Sequence, residues 1–117
     1  MDIVVSDTPG EDAARKVAYR LRDAVRRRGA ASLALSGGST APALIGSLLA
    51  SDVPWERVGV WQVDERVAPD GHEARNANQL DLVGQRARVR LMPVTAPDLR
   101  AAARRYAAEL PARFDVV

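Results

Sequence analysis

The chain has 117 residues, 47% of them hydrophobic and 27% charged, a balance that supplies one packed domain and excludes disordered and fibrous chains. No apolar run reaches the roughly 18 residues of a membrane span, and zero cysteines with a single histidine exclude disulfide frameworks, thiolate nucleophiles and cysteine-bound zinc. Net charge is only +2 although arginine supplies 16 of the 17 basic residues, and with acids interspersed and 4% aromatics no nucleic-acid partner is expected.

Met1 to Asp7 lacks a basic region followed by an apolar stretch, so the expected location is the cytoplasm, with no membrane partner. Ile3 to Val5 is a short apolar run of strand type. Thr8-Pro9-Gly10-Glu11 then opens a helix: the Thr8 hydroxyl is placed to accept the Glu11 N–H in a capping box, and Pro9 suits the first turn. Val17, Leu21 and Val25 make an apolar stripe, and Gly29 is placed to stop the helix. Arg26-Arg27-Arg28 falls at that helix end, where cations complement exposed carbonyls. Ala31 to Leu35 is small and apolar throughout, as in a strand covered on both faces.

A second helix is predicted over Ala41 to Ala50, with Pro42 in its first turn and Leu44, Ile45, Leu48 and Leu49 at helical spacing. Val58 to Val63 reads as a strand, Asp64 to Arg75 as a polar loop, and Asn76 to Val83 as a short helix ending at Gly84. Arg88 to Leu91 is a further strand. The last helix is predicted over Ala96 to Leu110, with Thr95 and Asp98 as its capping pair and Leu99, Ala103, Tyr106 and Leu110 on one face. Phe114 to Val117 begins another strand. This alternation predicts a single α/β domain over residues 1–117, with a mostly parallel sheet and no internal repeats.

Chemistry concentrates where strands end. Ser36-Gly37-Gly38-Ser39-Thr40 joins a strand to a helix: two glycines let the chain turn tightly and expose its N–H groups, and two hydroxyls stand at the positive helix end. A phosphate fits such a site, and so does an ordinary glycine turn with a Ser or Thr cap, because this is neither a Walker loop nor a dinucleotide fingerprint. Trp61-Gln62-Val63-Asp64-Glu65-Arg66 ends a strand in two acids and an arginine. Arg66 suits an oxyanion, and Asp64 suits a water, a sugar hydroxyl or a catalytic partner. The alternative is a surface turn in which Glu65 pairs with Arg66. In a βαβ unit both segments follow the C-terminal ends of parallel strands and open onto one crevice.

Ser36-Gly37-Gly38-Ser39-Thr40-Ala41-Pro42, then Val63-Asp64-Glu65-Arg66-Val67 and Asn76, resemble the N-terminal half of the 6-phosphogluconolactonase family. The related glucosamine-6-phosphate deaminases usually carry Asp-Glu-Tyr where this chain has Asp64-Glu65-Arg66. The resemblance implies a Rossmann-like doubly wound α/β fold with helices on both faces. It implies hydrolysis of 6-phosphoglucono-δ-lactone to 6-phosphogluconate in the pentose phosphate pathway, with no cofactor and no metal. Gly37, Gly38, Ser39 and Thr40 are then expected at the substrate phosphate, Asp64 and Arg66 in the catalytic and orienting set, and Asn76 beside the substrate. Arg75 stands where the family tends to have a small residue.

In the family, the strand equivalent to Phe114 to Val117 leads to an Asp-Gly-His motif whose histidine is the expected general base. The Asp70-Gly71-His72 sequence lies in an earlier loop and is read as a coincidence. The 117 residues alone are therefore expected to be nearly inactive and, with a sheet face uncovered, marginally stable or prone to associate. A deaminase-like enzyme and a non-catalytic phosphosugar-binding module are the alternative functions.

Overall fold

The computed structural model describes residues 1–117. Helix α1 spans Pro9–Arg28, strand β1 Ala31–Leu35, helix α2 Ala41–Ala50, strand β2 Val58–Gln62, the short helix α3 Asp81–Gly84, strand β3 Arg88–Arg90 and helix α4 Leu99–Ala108. Strand β1 pairs in parallel with β2, and β2 in parallel with β3. Val116 bridges Leu33 in parallel. It does so along the free edge of β1, because Ser32 and Ala34 carry the bonds to this segment while the Leu35 carbonyl bonds to Val63. The order β3-β2-β1-Val116 is that of a Rossmann-like, doubly wound α/β sheet.

The principal core lies on one sheet face, beneath α1 and α2, where Leu21, Leu33, Leu48, Val60 and Val83 are fully buried. Each such side chain contributes about 1.5–3 kcal/mol through burial. All five residues of β1 are buried, as a strand covered on both faces requires. Helix α1 begins with acids at Glu11 and Asp12, ends with Arg26 to Arg28, and stops at Gly29, whose φ of 80° closes the helix by a bond from its N–H to the Val25 carbonyl.

Several details depart from the sequence-based expectations. Ile3 to Val5 forms no strand and is exposed, Val5 by 94%; it pairs with no strand of the sheet, and an unpaired strand gains no ladder hydrogen bonds. The Thr8 hydroxyl does not cap α1. Instead Ser6 Oγ donates to the Asp12 carboxylate and accepts the Thr8 N–H. The buried stripe of α1 centres on Ala14, Ala18 and Leu21, with Val17 and Val25 only partly buried. Small side chains suit the close α1–α2 contact, where a Cβ on Gly10 would lie 3.1 Å from that of Ala43. Finally, α4 starts at Leu99 rather than Ala96, because Pro97 biases the residue before it away from helical geometry and Asp98, not Thr95, is the N-cap, accepting the Ala101 N–H at 3.0 Å.

Helix α4 covers the second sheet face through Ala102, which is buried, and Tyr106, which is half-buried. Leu99 and Leu110 are 44% and 43% exposed, and Ala103 is exposed, so the contact line is narrower than the predicted stripe. An apolar groove of 530 Å³ remains here, lined by residues including Ala34, Val63, Met92, Leu99, Phe114 and Val117. No helix is long and apolar enough to cross a membrane.

Candidate functional site

The last register pair of β1 and β2 is Leu35 with Gln62, and the ladder continues one bond further, from Val63 N–H to the Leu35 carbonyl at 3.0 Å. The segments Ser36 to Thr40 and Asp64 to Arg66 therefore leave the same end of two adjacent parallel strands. Gly38 has φ of 109°, a left-handed geometry open to glycine and costly for other residues. Gly37 is needed for a different reason. A Cβ there would lie 2.9 Å from Gln79 Oε1 and 2.5 Å from Asn76 Cγ, so the loop and the 3₁₀ turn Asn76–Leu80 are in direct backbone-to-side-chain contact.

Asn76 stands between the two strand-end segments. Its Nδ2 donates to the backbone oxygen and Oδ1 of Asp64, each at 3.3 Å. Gln79 clasps the glycine loop: Gly38 N–H donates to Gln79 Oε1 at 3.0 Å, and Gln79 Nε2 donates to the Gly38 carbonyl at 3.2 Å. One of the amides expected to be free for an anion is thus bonded to Gln79. Ser39 and Thr40 are exposed at the start of α2, and the Thr40 hydroxyl makes no capping bond. Asp64 and Arg66 are exposed too, and the Arg66 guanidinium enters none of the chain's ion pairs. The geometry brings Gly37, Gly38, Asp64 and Asn76 together, with Ser39, Thr40 and Arg66 on the segments that flank them.

Glu65 does not pair with the Arg66 side chain. Its carboxylate turns inward, with the side chain 0% exposed, and accepts hydrogen bonds from Gln62 Nε2 at 2.9 Å and from the backbone N–H groups of Arg66, Asn76 and Ala77 at 2.8, 2.6 and 2.9 Å. Burial pushes the carboxyl up, but the bonds from Gln62, Arg66, Asn76 and Ala77 together outweigh it and hold the group at about 2. Arg75, 5% exposed, brings Nε within 3.1 Å of Glu65 Oε2 as a charge contact rather than an aligned hydrogen bond. Its Nη1 donates to Asp70 Oδ1 at 2.8 Å and to the Ala68 carbonyl at 3.1 Å. The bonds to Asp70 and then the contact with Glu65 raise the Arg75 pKa further. Nothing in the order of the residues marks either side chain as an interior one.

The end of β2 is held from the second face. Strand β3 stops at Arg90, opposite Trp61, so the backbone of Gln62 has no strand partner there. The Tyr106 hydroxyl supplies one, accepting the Gln62 N–H and donating to its carbonyl, both at 2.8 Å. Gln62 Oε1 accepts the Met92 N–H at 2.7 Å. His72 is exposed, and its Nδ1 accepts the Ala74 N–H at 3.1 Å, which shapes its own turn. No group of three or more His, Cys, Asp or Glu side chains converges in a way that could hold a metal ion.

Residues 6–117 match the family described as glucosamine-6-phosphate isomerases/6-phosphogluconolactonase. The chain is 34% identical over 131 aligned positions to a 6-phosphogluconolactonase of Streptomyces coelicolor, covering 91% of this chain and 50% of that protein. It is 36% identical over 100 to one of Pseudomonas aeruginosa, covering 83% and 41%. A crystal structure of a 6-phosphogluconolactonase from Shewanella baltica superposes with a TM-score of 0.83 at 28% identity, over 95% of this chain and 52% of that one. The chain spans about half the length of the relatives it matches.

Proposed function

We propose, for a chain that belongs to the glucosamine-6-phosphate isomerase/6-phosphogluconolactonase family, that the whole protein hydrolyses 6-phosphoglucono-δ-lactone to 6-phosphogluconate in the pentose phosphate pathway. The observation that carries this reading is the shared crevice: the Gly37–Gly38 loop and the Asp64–Arg66 segment leave the same end of β1 and β2 and are joined by Asn76. Arg66 in place of a tyrosine favours the lactonase over the deaminase branch. The 117 residues are read as the N-terminal portion of one longer α/β domain, acting in the cytoplasm on a sugar phosphate.

Opening a lactone needs a water deprotonated as it attacks, stabilisation of the oxyanion that forms, and a proton for the departing ring oxygen. The start of α2, with the Ser39 and Thr40 hydroxyls and nearby amides, binds the remote phosphate, whose binding energy positions the ring. Arg66, without a carboxylate partner of its own, carries the charge that develops on the carbonyl oxygen. Asp64, with its Oδ1 fixed by Asn76, orients the substrate or the attacking water. His72 is not assigned a catalytic role, since its ring holds its own loop.

The test is a pair of assays on the full-length protein, with the lactone and with glucosamine 6-phosphate. Lactone turnover without ammonia release is expected, and Arg66→Ala should reduce it by about 100-fold, the scale of losing one oxyanion-stabilising donor. The paired substitution Ser39→Ala with Thr40→Ala should abolish the rise in melting temperature on adding 6-phosphogluconate. Deamination, or binding with no turnover of either substrate, would overturn the reading.

A further inference from the structure

Glu65 lies at the centre of a connected set of contacts that reaches the opposite wall of the crevice. Its carboxylate accepts the first two N–H groups of the Asn76–Leu80 turn, from Asn76 at 2.6 Å and Ala77 at 2.9 Å. These are groups that the turn itself cannot satisfy. At its other end the same turn presents Gln79, whose amide exchanges two hydrogen bonds with Gly38. Between them, Asn76 touches Gly37 and bonds to Asp64. Residues 41 positions apart in sequence are thereby linked by one short element whose footing is a buried anion.

From this arrangement we infer that Glu65 is a positioning residue for the Gly37–Gly38 loop, acting through the Asn76–Gln79 turn. It touches no ligand-facing group on the loop itself. Its carboxylate fixes where the turn begins, and the turn fixes where Gln79 meets Gly38 and where Asn76 meets Asp64. Hydrogen bonds to an ionised, buried acceptor are stronger than neutral ones, so an amide in place of the carboxylate keeps the shape and loses much of the hold. Two of the N–H donors would then face a group that also presents an NH₂. The consequence for the crevice is displacement of a loop whose donors must converge on a dianion, where shifts of about 1 Å are costly. As applied to substrate, this rests on the phosphosugar reading given above.

The experiment compares the full-length protein with Glu65→Gln, Gln79→Ala and the double variant. Two quantities are read: the amide resonance of Gly38 in ligand-free protein, and the affinity for 6-phosphogluconate by calorimetry. Glu65→Gln is expected to move the Gly38 resonance and weaken 6-phosphogluconate binding about tenfold or more. Gln79→Ala, which cuts the link at the loop end without disturbing the buried carboxylate, should weaken binding similarly. The double variant should bind no more weakly than either single one, because both interrupt the same connection. A Gly38 resonance unmoved by Glu65→Gln, or losses that add in the double variant, would overturn the inference. If Glu65→Gln does not fold, a Gln79→Ala protein that binds 6-phosphogluconate as the wild type does overturns it equally. Wild-type protein that fails to bind 6-phosphogluconate, with the Gly38 resonance still moving in Glu65→Gln, would support the link and remove the phosphosugar reading alone.

Discussion

Glu65 and Arg75 meet inside the loop that follows β2, with Oε2 and Nε 3.1 Å apart and side chains 0% and 5% exposed. The pair closes the base of that loop and sits behind the exposed Asp64 and Arg66. A buried ion pair seldom adds much net stability, yet removing one member leaves a charge without its partner. The consequences are therefore asymmetric.

Arg75→Ala should destabilise the fold by about 3–5 kcal/mol, the usual range for breaking a buried pair from one side. Asp70, the other carboxylate on Arg75, has a side chain 83% exposed, and Asp70→Asn should shift stability by no more than about 1 kcal/mol. Urea denaturation of the two variants measures the difference. Equal effects would mean that the Glu65–Arg75 contact is not the one that matters.

The same carboxylate predicts an acid limb. Glu65 titrates at about 2 in the folded chain against an ordinary 4.5, so the unfolded chain binds more protons than the folded one between those values. Stability from this group is complete above pH 4.5 and is lost as pH falls through 2, a change on the order of 3 kcal/mol. Denaturation curves collected between pH 5 and pH 2 should show a shallower decline in Glu65→Gln than in the parent. Parallel declines would rule Glu65 out as the group responsible.

The two loop glycines should fail differently. Gly37→Ala drives a methyl group into Asn76 and Gln79, so 6-phosphogluconate affinity should fall sharply as both side chains are pushed aside. Gly38→Ala meets no neighbouring atom but must adopt a φ of 109°, a strain of about 1–3 kcal/mol that appears chiefly in the melting temperature. Calorimetric binding and thermal melts on the two variants separate these outcomes; the reverse pattern would contradict the geometry.

Tyr106→Phe keeps the ring and removes the hydroxyl that serves both backbone groups of Gln62. A cost of about 1–3 kcal/mol is expected, as for leaving a buried polar group unpaired. Hydrogen exchange at the Gln62 amide should accelerate in parallel. An unchanged exchange rate would show that the hydroxyl is dispensable.

Much of this fold was legible in the sequence because its signals are local. Gly29 ends α1 as its position suggested, Ala41 to Ala50 forms a helix with those bounds, and an unbroken apolar run marked β1 as buried. The strand-end placement of Gly37, Gly38 and Asp64 followed from parallel connectivity alone. What escaped depends on partners remote in the chain. Ala14 and Ala18 rank below Val17 in hydrophobicity, and only the approach of α2 selects them for the interior. Glu65 and Arg75 read as surface charges because nothing in their order reveals that four donors converge on one carboxylate. Gln79 carries no motif, and its role exists only because the turn after Arg75 returns to the glycine loop. The start of α4 departs from the Thr95–Asp98 capping pair because Pro97 disfavours helical geometry in the residue before it, which leaves Asp98 itself as the N-cap.

The ion pair at the base of the Arg66–Ala74 excursion bears on how freely that excursion can be lengthened. With its two ends clamped by Glu65 and Arg75, the tip around Pro69, Gly71 and His72 is exposed and contributes no buried side chain. Extra residues spliced in at Gly71 would add mainly ring-closure entropy, about 0.6 kcal/mol for each doubling of length. Lengthening at that point should leave the crevice beneath it with its dimensions unchanged.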